Sequence, residues 1–418
     1  MKKTVLFSLI IVGIFCSCNR KPILQPGSWL GIIRIDTADP SQDIPFNMAL
    51  SLSTDGQRVM EVTNAGETIL ITEVDLFKDS LYLKFPIFQS EIACRFTKDS
   101  LIGSYYPKGR AAGVAYLFFA LRGVTDRFPA FQDPPAFNVT GRWRIMENPG
   151  TPDSTLLVGE FQQDSNRVTG TVLAPSGDYR YLEGKISGNK FMVSAVDGAH
   201  SLVFTADISP DGMMQGRFVG GPKWKSVWTA VKDSTVTLPK GEELIWLKRG
   251  ASRLTFTFPN VNGEPVSLDD TLFKGKVVIV EAMGTWCPNC MDESLFFNEL
   301  YGKYQDQGLE IIALCFEDPT FETSQPKMQR FINQTGSRYH FLYAGPRGRE
   351  SIRSVLYVAD GMLAYPTTLF IDRKGEIRRI ETGFSGPGTG IHYDLLTGEI
   401  TRYVNNLLTE SAEPALPE

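Results

Sequence analysis

Histidine is scarce in this sequence, and so is cysteine. Three histidines occur in 418 residues, His200, His340 and His392. None pairs with a cysteine or with another histidine at ligand spacing, so a zinc site built on these residue types is not expected. Six cysteines are too few for a disulfide scaffold. There is no basic run and the formal net charge is −5, which argues against nucleic acid as a partner. Long apolar runs are also absent. The longest, Val5 to Phe15, falls short of the roughly 18 residues that a spanning helix needs. What is present is a chain with 42% hydrophobic and 21% charged residues, the balance of a folded body, and a length that suits two to four domains.

The amino-terminal residues point to export. Lys2 and Lys3 precede the short apolar run, and Cys16-Ser17-Cys18-Asn19 follows it. A positive start and a short apolar core make a signal peptide, here residues 1–17. A cysteine after a small residue at the cleavage point resembles the bacterial lipoprotein box, which implies that Cys18 becomes the lipidated first residue of the mature protein. The alternative is a cleaved signal without lipid. Residues 18–26 then form a tether with Pro22 and Pro26.

Two all-β domains are expected next, over 27–126 and 138–235. Ile44–Leu52, Thr68–Val74, Ser80–Phe88 and Ala115–Leu121 read as strands in the first; Leu156–Phe161, Val168–Leu173, Lys190–Val196 and Leu202–Ile208 read as strands in the second. Gly27-Ser28-Trp29 opens one stretch and Gly141-Arg142-Trp143 the other, while Ala120-Leu121-Arg122 and Ala230-Val231-Lys232 close them. Self-similarity over about 100 residues indicates a duplicated small barrel or sandwich and not a solenoid. Gly-x-Trp in the first strand with a late basic residue resembles lipocalin-like barrels. Asp178, Arg180 and Tyr181, with Trp224 and Trp228, could line a binding face of the second unit; the expectation is that they are turn and core residues of its barrel.

After Pro239 and Gly241 the periodicity changes, marking a third domain over 250–410. Lys276–Ala282 and Leu309–Phe316 are buried strand runs. Met291–Gln307 carries Leu295, Phe296, Leu300 and Tyr304 at helical spacing. A helix over Pro326–Asn333, a strand pair at Thr368–Asp372 and Glu376–Glu381, and a closing helix over Glu399–Thr409 complete an α/β sandwich.

The chemistry concentrates in Gly284-Thr285-Trp286-Cys287-Pro288-Asn289-Cys290, where a buried strand becomes a helix. Two intervening residues let the sulfurs of Cys287 and Cys290 meet across one helical turn. Cys287 falls at the helix N-terminus, whose free N–H groups and dipole favour a thiolate. Pro288 suits the first helical position. Cys287 is therefore the expected nucleophile and Cys290 the resolving thiol of a redox-active disulfide.

These residues resemble those of thioredoxin-like proteins, and within them the TlpA-like oxidoreductases that are lipoproteins or membrane-tethered. The resemblance covers about residues 254–408. It includes Phe256 to Gly263, Val266 to Leu268, Phe273 to Val278, and Tyr365-Pro366-Thr367-Thr368. It implies a cis proline at Pro366 facing the cysteines, with Tyr365 and Thr367 flanking the site beside Thr285, Trp286, Pro288 and Asn289. In such folds an acid six residues before the first cysteine, here Glu281, can lie buried under the site and take the proton of Cys290; the alternative is a strand-edge glutamate in solvent. The resemblance implies no cofactor and no metal. It implies as partners the disulfides of exported proteins and an upstream dithiol donor. Thiol peroxidase activity is the competing enzyme reading, although residues 280–287 lack the Pro-x-x-x-Thr-x-x-Cys pattern. A binding lipoprotein worked by its β domains is the third. The loop Gly383 to Gly390 reads as a flank of the redox site, and Cys94 and Cys315 as core residues of different domains.

Overall fold

The computed structural model describes residues 24–108 and 113–410. The signal peptide, Cys18 and most of the tether lie outside these residues. Among the described residues no helix is long and apolar enough to cross a membrane.

Short β-branched and aromatic runs broken by turns give a meander of antiparallel strands in both amino-terminal units. Among the described residues the first has nine strands between Gly27 and Arg122, with the first paired to both the second and the last. The run expected as one strand over Thr68–Val74 is two, Glu67–Ile71 and Glu73–Phe77. They stand at opposite ends of the sheet order yet are separated only by Thr72, so the sheet curls until its edges meet there. The second unit closes outright. Gly141–Glu147 pairs with Thr155–Asp164 on one side and with Trp224–Lys232 on the other. Thr155–Asp164 pairs with Arg167–Ala174, which leaves no free edge. Both units are thus barrel-like and not sandwiches. Their openings match in register: Trp29 stands opposite Arg122 in one, and Trp143 opposite Lys232 in the other.

The interiors are filled by side chains. Trp29, Phe46, Tyr105 and Phe118 fill the first barrel; Phe191, Phe204, Phe218 and Trp228 fill the second. The barrels also pack on each other through the far face of the second, where Met192, Val196, Val203 and Val219 join the core of the first. Arg127, buried between them, donates to the carbonyls of Thr63 and Ser194 and to Asn47 Oδ1.

The third unit is a five-stranded sheet with helices on both faces. Its strands are β1 (Val277–Met283), β2 (Leu309–Glu317), β3 (His340–Pro346), β4 (Thr367–Ile371) and β5 (Ile377–Thr382), in the order β3-β2-β1-β4-β5. The first three are parallel; β4 runs antiparallel to β1, and β5, antiparallel to β4, returns to the direction of the first three. The helices are α1 (Pro288–Tyr304), α2 (Phe321–Thr335), α3 (Arg349–Val355) and α4 (Ile391–Thr409). Helix α2 begins before the expected Pro326, because the Thr320 side chain caps it by accepting from the Thr323 N–H. Separate apolar clusters cover the two sheet faces. One holds both active cysteines and also takes in Phe88 of the first barrel and Ala199 of the second, so the barrels are packed onto this domain and not merely tethered to it.

The filled second barrel makes a stability prediction. Phe191 is fully buried, edge-on to Phe161 at 5.0 Å. Phe191→Ala is expected to cost about 3–5 kcal/mol in urea unfolding. Val231→Ala, at a half-exposed outer position, is expected to change stability by less than about 0.5 kcal/mol. Equal effects of the two would contradict the filled-barrel description.

Candidate active site

All seven residues of β1 are buried. The chain leaves that strand at Gly284 because Trp286 folds back over it: a Cβ there would lie 2.3 Å from the indole Nε1. The indole N–H donates to the Phe316 carbonyl at 2.9 Å. Thr285 is held from the next strand, its N–H and hydroxyl donating to the Glu317 carboxylate at 2.5 and 3.0 Å. These contacts deliver Cys287 to the N-cap of α1. Pro288 follows at the first helical position, and the Cys290 N–H points at Cys287 Sγ from 3.3 Å. The two cysteines are joined as a disulfide with their Cα atoms 5.2 Å apart. Cys287 is 6% exposed and Cys290 fully buried, which sets the outer and inner members of the pair.

The loop before β4 closes the site. The Tyr365–Pro366 bond is cis, and the Tyr365 carbonyl oxygen lies 3.6 Å from Cys287 Sγ. The Tyr365 ring stands edge-on to Trp286 at 5.3 Å, while its hydroxyl donates to the Gly348 carbonyl at 3.1 Å. Thr367 is a strut: its hydroxyl donates to the Ala364 carbonyl at 2.7 Å. The structure therefore brings Cys287, Cys290, Trp286, Pro288, Asn289, Tyr365 and Pro366 together, with Thr285 and Thr367 supporting them. A cleft of about 300 Å³ opens beside Cys287, lined by Trp286, Tyr365, Leu363 and Arg349 and, from the second barrel, by Ser176 and His200.

Glu281 is wholly buried, not at a strand edge in solvent. Its carboxylate accepts from the Ser294 hydroxyl at 3.2 Å, on the helical turn after Cys290. Glu293 was not singled out from the sequence, although it lies three residues after Cys290 and so on the same helix face. It accepts from the Thr368 hydroxyl at 3.0 Å. Thr368 stands opposite Glu281 on one side and Glu381 on the other. Burial lifts the carboxyls of this row above the ordinary glutamate range: Glu281 to about 8 and Glu381 to about 7. Glu293 is pushed up by burial and then by the negative charges of Glu281 and Glu381. Burial also lifts Glu317 to about 7. The carboxyls behind the redox disulfide are thus buried and lifted toward neutrality or above it.

The second barrel reaches this site. Asp178 and Arg180 are not turn and core residues of that barrel but interdomain contacts: Asn289 Nδ2 donates to Asp178, and Arg180 pairs with Asp292 of α1. Their signal, a charged pair in a turn, does not reveal a partner more than 100 residues away. Cys94 and Cys315 are free and buried in separate cores. Among the described residues no group of three or more histidines, cysteines, aspartates or glutamates is placed to hold a metal.

A disulfide at a strand-to-helix junction, faced by a cis proline on a five-stranded sheet, defines a thioredoxin-fold thiol–disulfide oxidoreductase. Residues 250–380 match the profile of the AhpC/TSA family. The chain is 31% identical over 138 residues to thiol-disulfide oxidoreductase ResA of Halalkalibacterium halodurans, covering 32% of this chain and 69% of that protein. It is 32% identical over 128 residues to thiol-disulfide oxidoreductase ResA of Bacillus thuringiensis subsp. konkukian, covering 31% and 66%. It thus spans about two thirds of the length of these relatives. A crystal structure of a thioredoxin-family thiol:disulfide interchange protein from Chlorobium tepidum TLS is 22% identical, over 38% of this chain and 98% of that one, with a TM-score of 0.30. The chain belongs, through its carboxyl-terminal domain, to the ResA/TlpA-like thiol–disulfide oxidoreductases.

The raised carboxyls predict a pH dependence. A glutamate whose folded pKa lies near 8, against an ordinary 4.5, keeps its proton longer in the folded chain. The proton-linked cost of its burial is absent below about pH 4.5 and lowers stability progressively as pH rises toward 8. Glu281→Gln should flatten that decline in urea unfolding measured across this range. Parallel curves for the variant and the parent would contradict the buried-acid assignment.

Proposed function

We propose that this protein reduces or exchanges disulfides of exported proteins at the cell envelope, held to a membrane by lipid on Cys18. The observation that carries the chemistry is Cys287 at the helix N-cap with Cys290 buried behind it. In the reduced form the Cys287 thiolate attacks one sulfur of a substrate disulfide and releases the other as a thiolate. Cys290 loses its proton toward the Glu281–Glu293 pair and attacks Cys287 Sγ, freeing the second substrate sulfur. Two electrons pass to the substrate, and the chain is left with the Cys287–Cys290 disulfide. An upstream dithiol then restores it. The roles of Pro366 are to present backbone beside Cys287 to an incoming substrate strand, where the Tyr365 carbonyl lies, and to keep metal away from the thiols. The export signal and lipid anchor rest on the residues around Ser17-Cys18. The two barrels are taken as a duplicated lipocalin-like unit on the shared Trp29/Arg122 and Trp143/Lys232 pairing. Their filled interiors favour a supporting role over ligand storage.

Two experiments test this reading. Cys290→Ser should accumulate a mixed disulfide with substrate, because release needs the second thiol; Cys287→Ser should trap little, and both should lose insulin reduction. Equal trapping by the two variants, or retained activity in both, defeats the assignment. Mass spectrometry of the native protein should find a diacylated cysteine at position 18, and a free amino terminus at another residue would refute the anchor.

A further inference from the structure

The turn at 175–181 of the second barrel is fitted to the redox site in detail. Gly177 and Asp178 extend the ladder of Arg167–Ala174, which projects them onto the head of α1. A Cβ at Gly177 would lie 2.7 Å from the Asn289 amide; one at Gly383 would lie 2.9 Å from the Pro175 carbonyl oxygen, and one at Gly388 within 3.0 Å of Arg180 backbone. The glycines of the Gly383 to Gly390 loop therefore make room for the barrel. Asp178 is buried at the centre of this contact. Its carboxylate accepts from Asn289 Nδ2 at 3.1 Å, from the Gly386 N–H at 2.7 Å and from the Arg180 N–H at 2.6 Å. The second Asn289 N–H goes to the Phe384 carbonyl at 3.2 Å. The residue between the two cysteines is thus pinned by a carboxylate from another domain.

We infer that Asp178 is a positioning residue of the redox centre, which fixes Asn289 and places a negative charge at the head of α1 that holds the Cys287–Cys290 couple toward the reducing side. This rests on the thiol–disulfide exchange proposed above. Reduction adds two electrons and two protons to the disulfide, and the reduced form near neutrality keeps part of Cys287 as thiolate. A carboxylate nearby opposes that anion, destabilises the reduced form and makes the couple a stronger electron donor. The surrounding charges leave the balance negative: Arg180 pairs with Asp292, Glu67 and Asp197, and His200 lies 3.5 Å from Asp197. In this interface cluster four carboxylates face one guanidinium and one imidazole, while Arg349 lines the cleft on the open side of Cys287. Asp178 itself, lifted by burial to about 6, is still ionised at pH 7.

The test compares the full chain with Asp178→Asn. The thiolate ultraviolet absorbance gives the Cys287 pKa, and equilibration with glutathione gives the dithiol-to-disulfide ratio. The variant is expected to lower that pKa by about one unit and to raise the dithiol share about tenfold, ~30 mV in the oxidising direction. Gly177→Ala, which forces the turn off Asn289 without removing a charge, should shift both in the same direction, and it serves if Asp178→Asn does not fold. A folded variant with the parent's pKa and ratio, or with shifts of opposite sign, overturns the inference and leaves the exchange chemistry standing. A parent chain that does not equilibrate with glutathione through these cysteines takes both down.

Discussion

Everything at this site depends on one residue meeting two demands. Cys287 must follow closely on a buried strand and cap a helix, so that the Cys290 N–H faces its sulfur. The strand run into Met283 supplies the rigid base. Gly284 lets Trp286 fold back, Glu317 grips Thr285 from β2, and Tyr365 closes the far side. None of these is chemically reactive toward a disulfide, yet each fixes the direction in which the Cys287 sulfur points. The burial difference between Cys287 and Cys290 follows from the same junction, since the next helical turn is driven into the core.

A second constraint works beneath it. Four glutamates, Glu281, Glu293, Glu317 and Glu381, are buried around α1, where hydrocarbon would stabilise the fold more. Their retained protons lessen the cost, and their hydrogen bonds from Ser294, Thr285, Thr368 and Arg379 lessen it further. A core that holds this many acids beside a disulfide carries a cost in stability that a hydrocarbon core would not.

How much of this could be read in the sequence depends on range. The strand-to-helix junction, the pair of cysteines and the cis-proline loop are local patterns, so their residues and spacing were legible. So was the all-β character of the first half, from turn-punctuated apolar runs. The split at Thr72 was not, because Thr68–Val74 is continuous in composition and only the curl of the sheet separates its halves. Glu293 was accessible from its i+3 spacing to Cys290, but a glutamate on a helix usually faces water. Asp178 and Arg180 are legible as a turn that could line a binding face, but what they face is not: only the docking of the second barrel makes them neighbours of Asn289 and Asp292. Local chemistry shows in a single sequence; contact between domains does not.

The barrels therefore bear on the redox centre by contact as well as by linkage. Phe88 and Ala199 enter its core, and Ser176 and His200 line its cleft. The central claim, that the Cys287–Cys290 couple works as an electron donor, is tested most directly by its reduction potential in the intact chain. The account predicts a value close to that of thioredoxin, about −270 mV. A value near about −120 mV, that of a strong disulfide-forming oxidant, would contradict it.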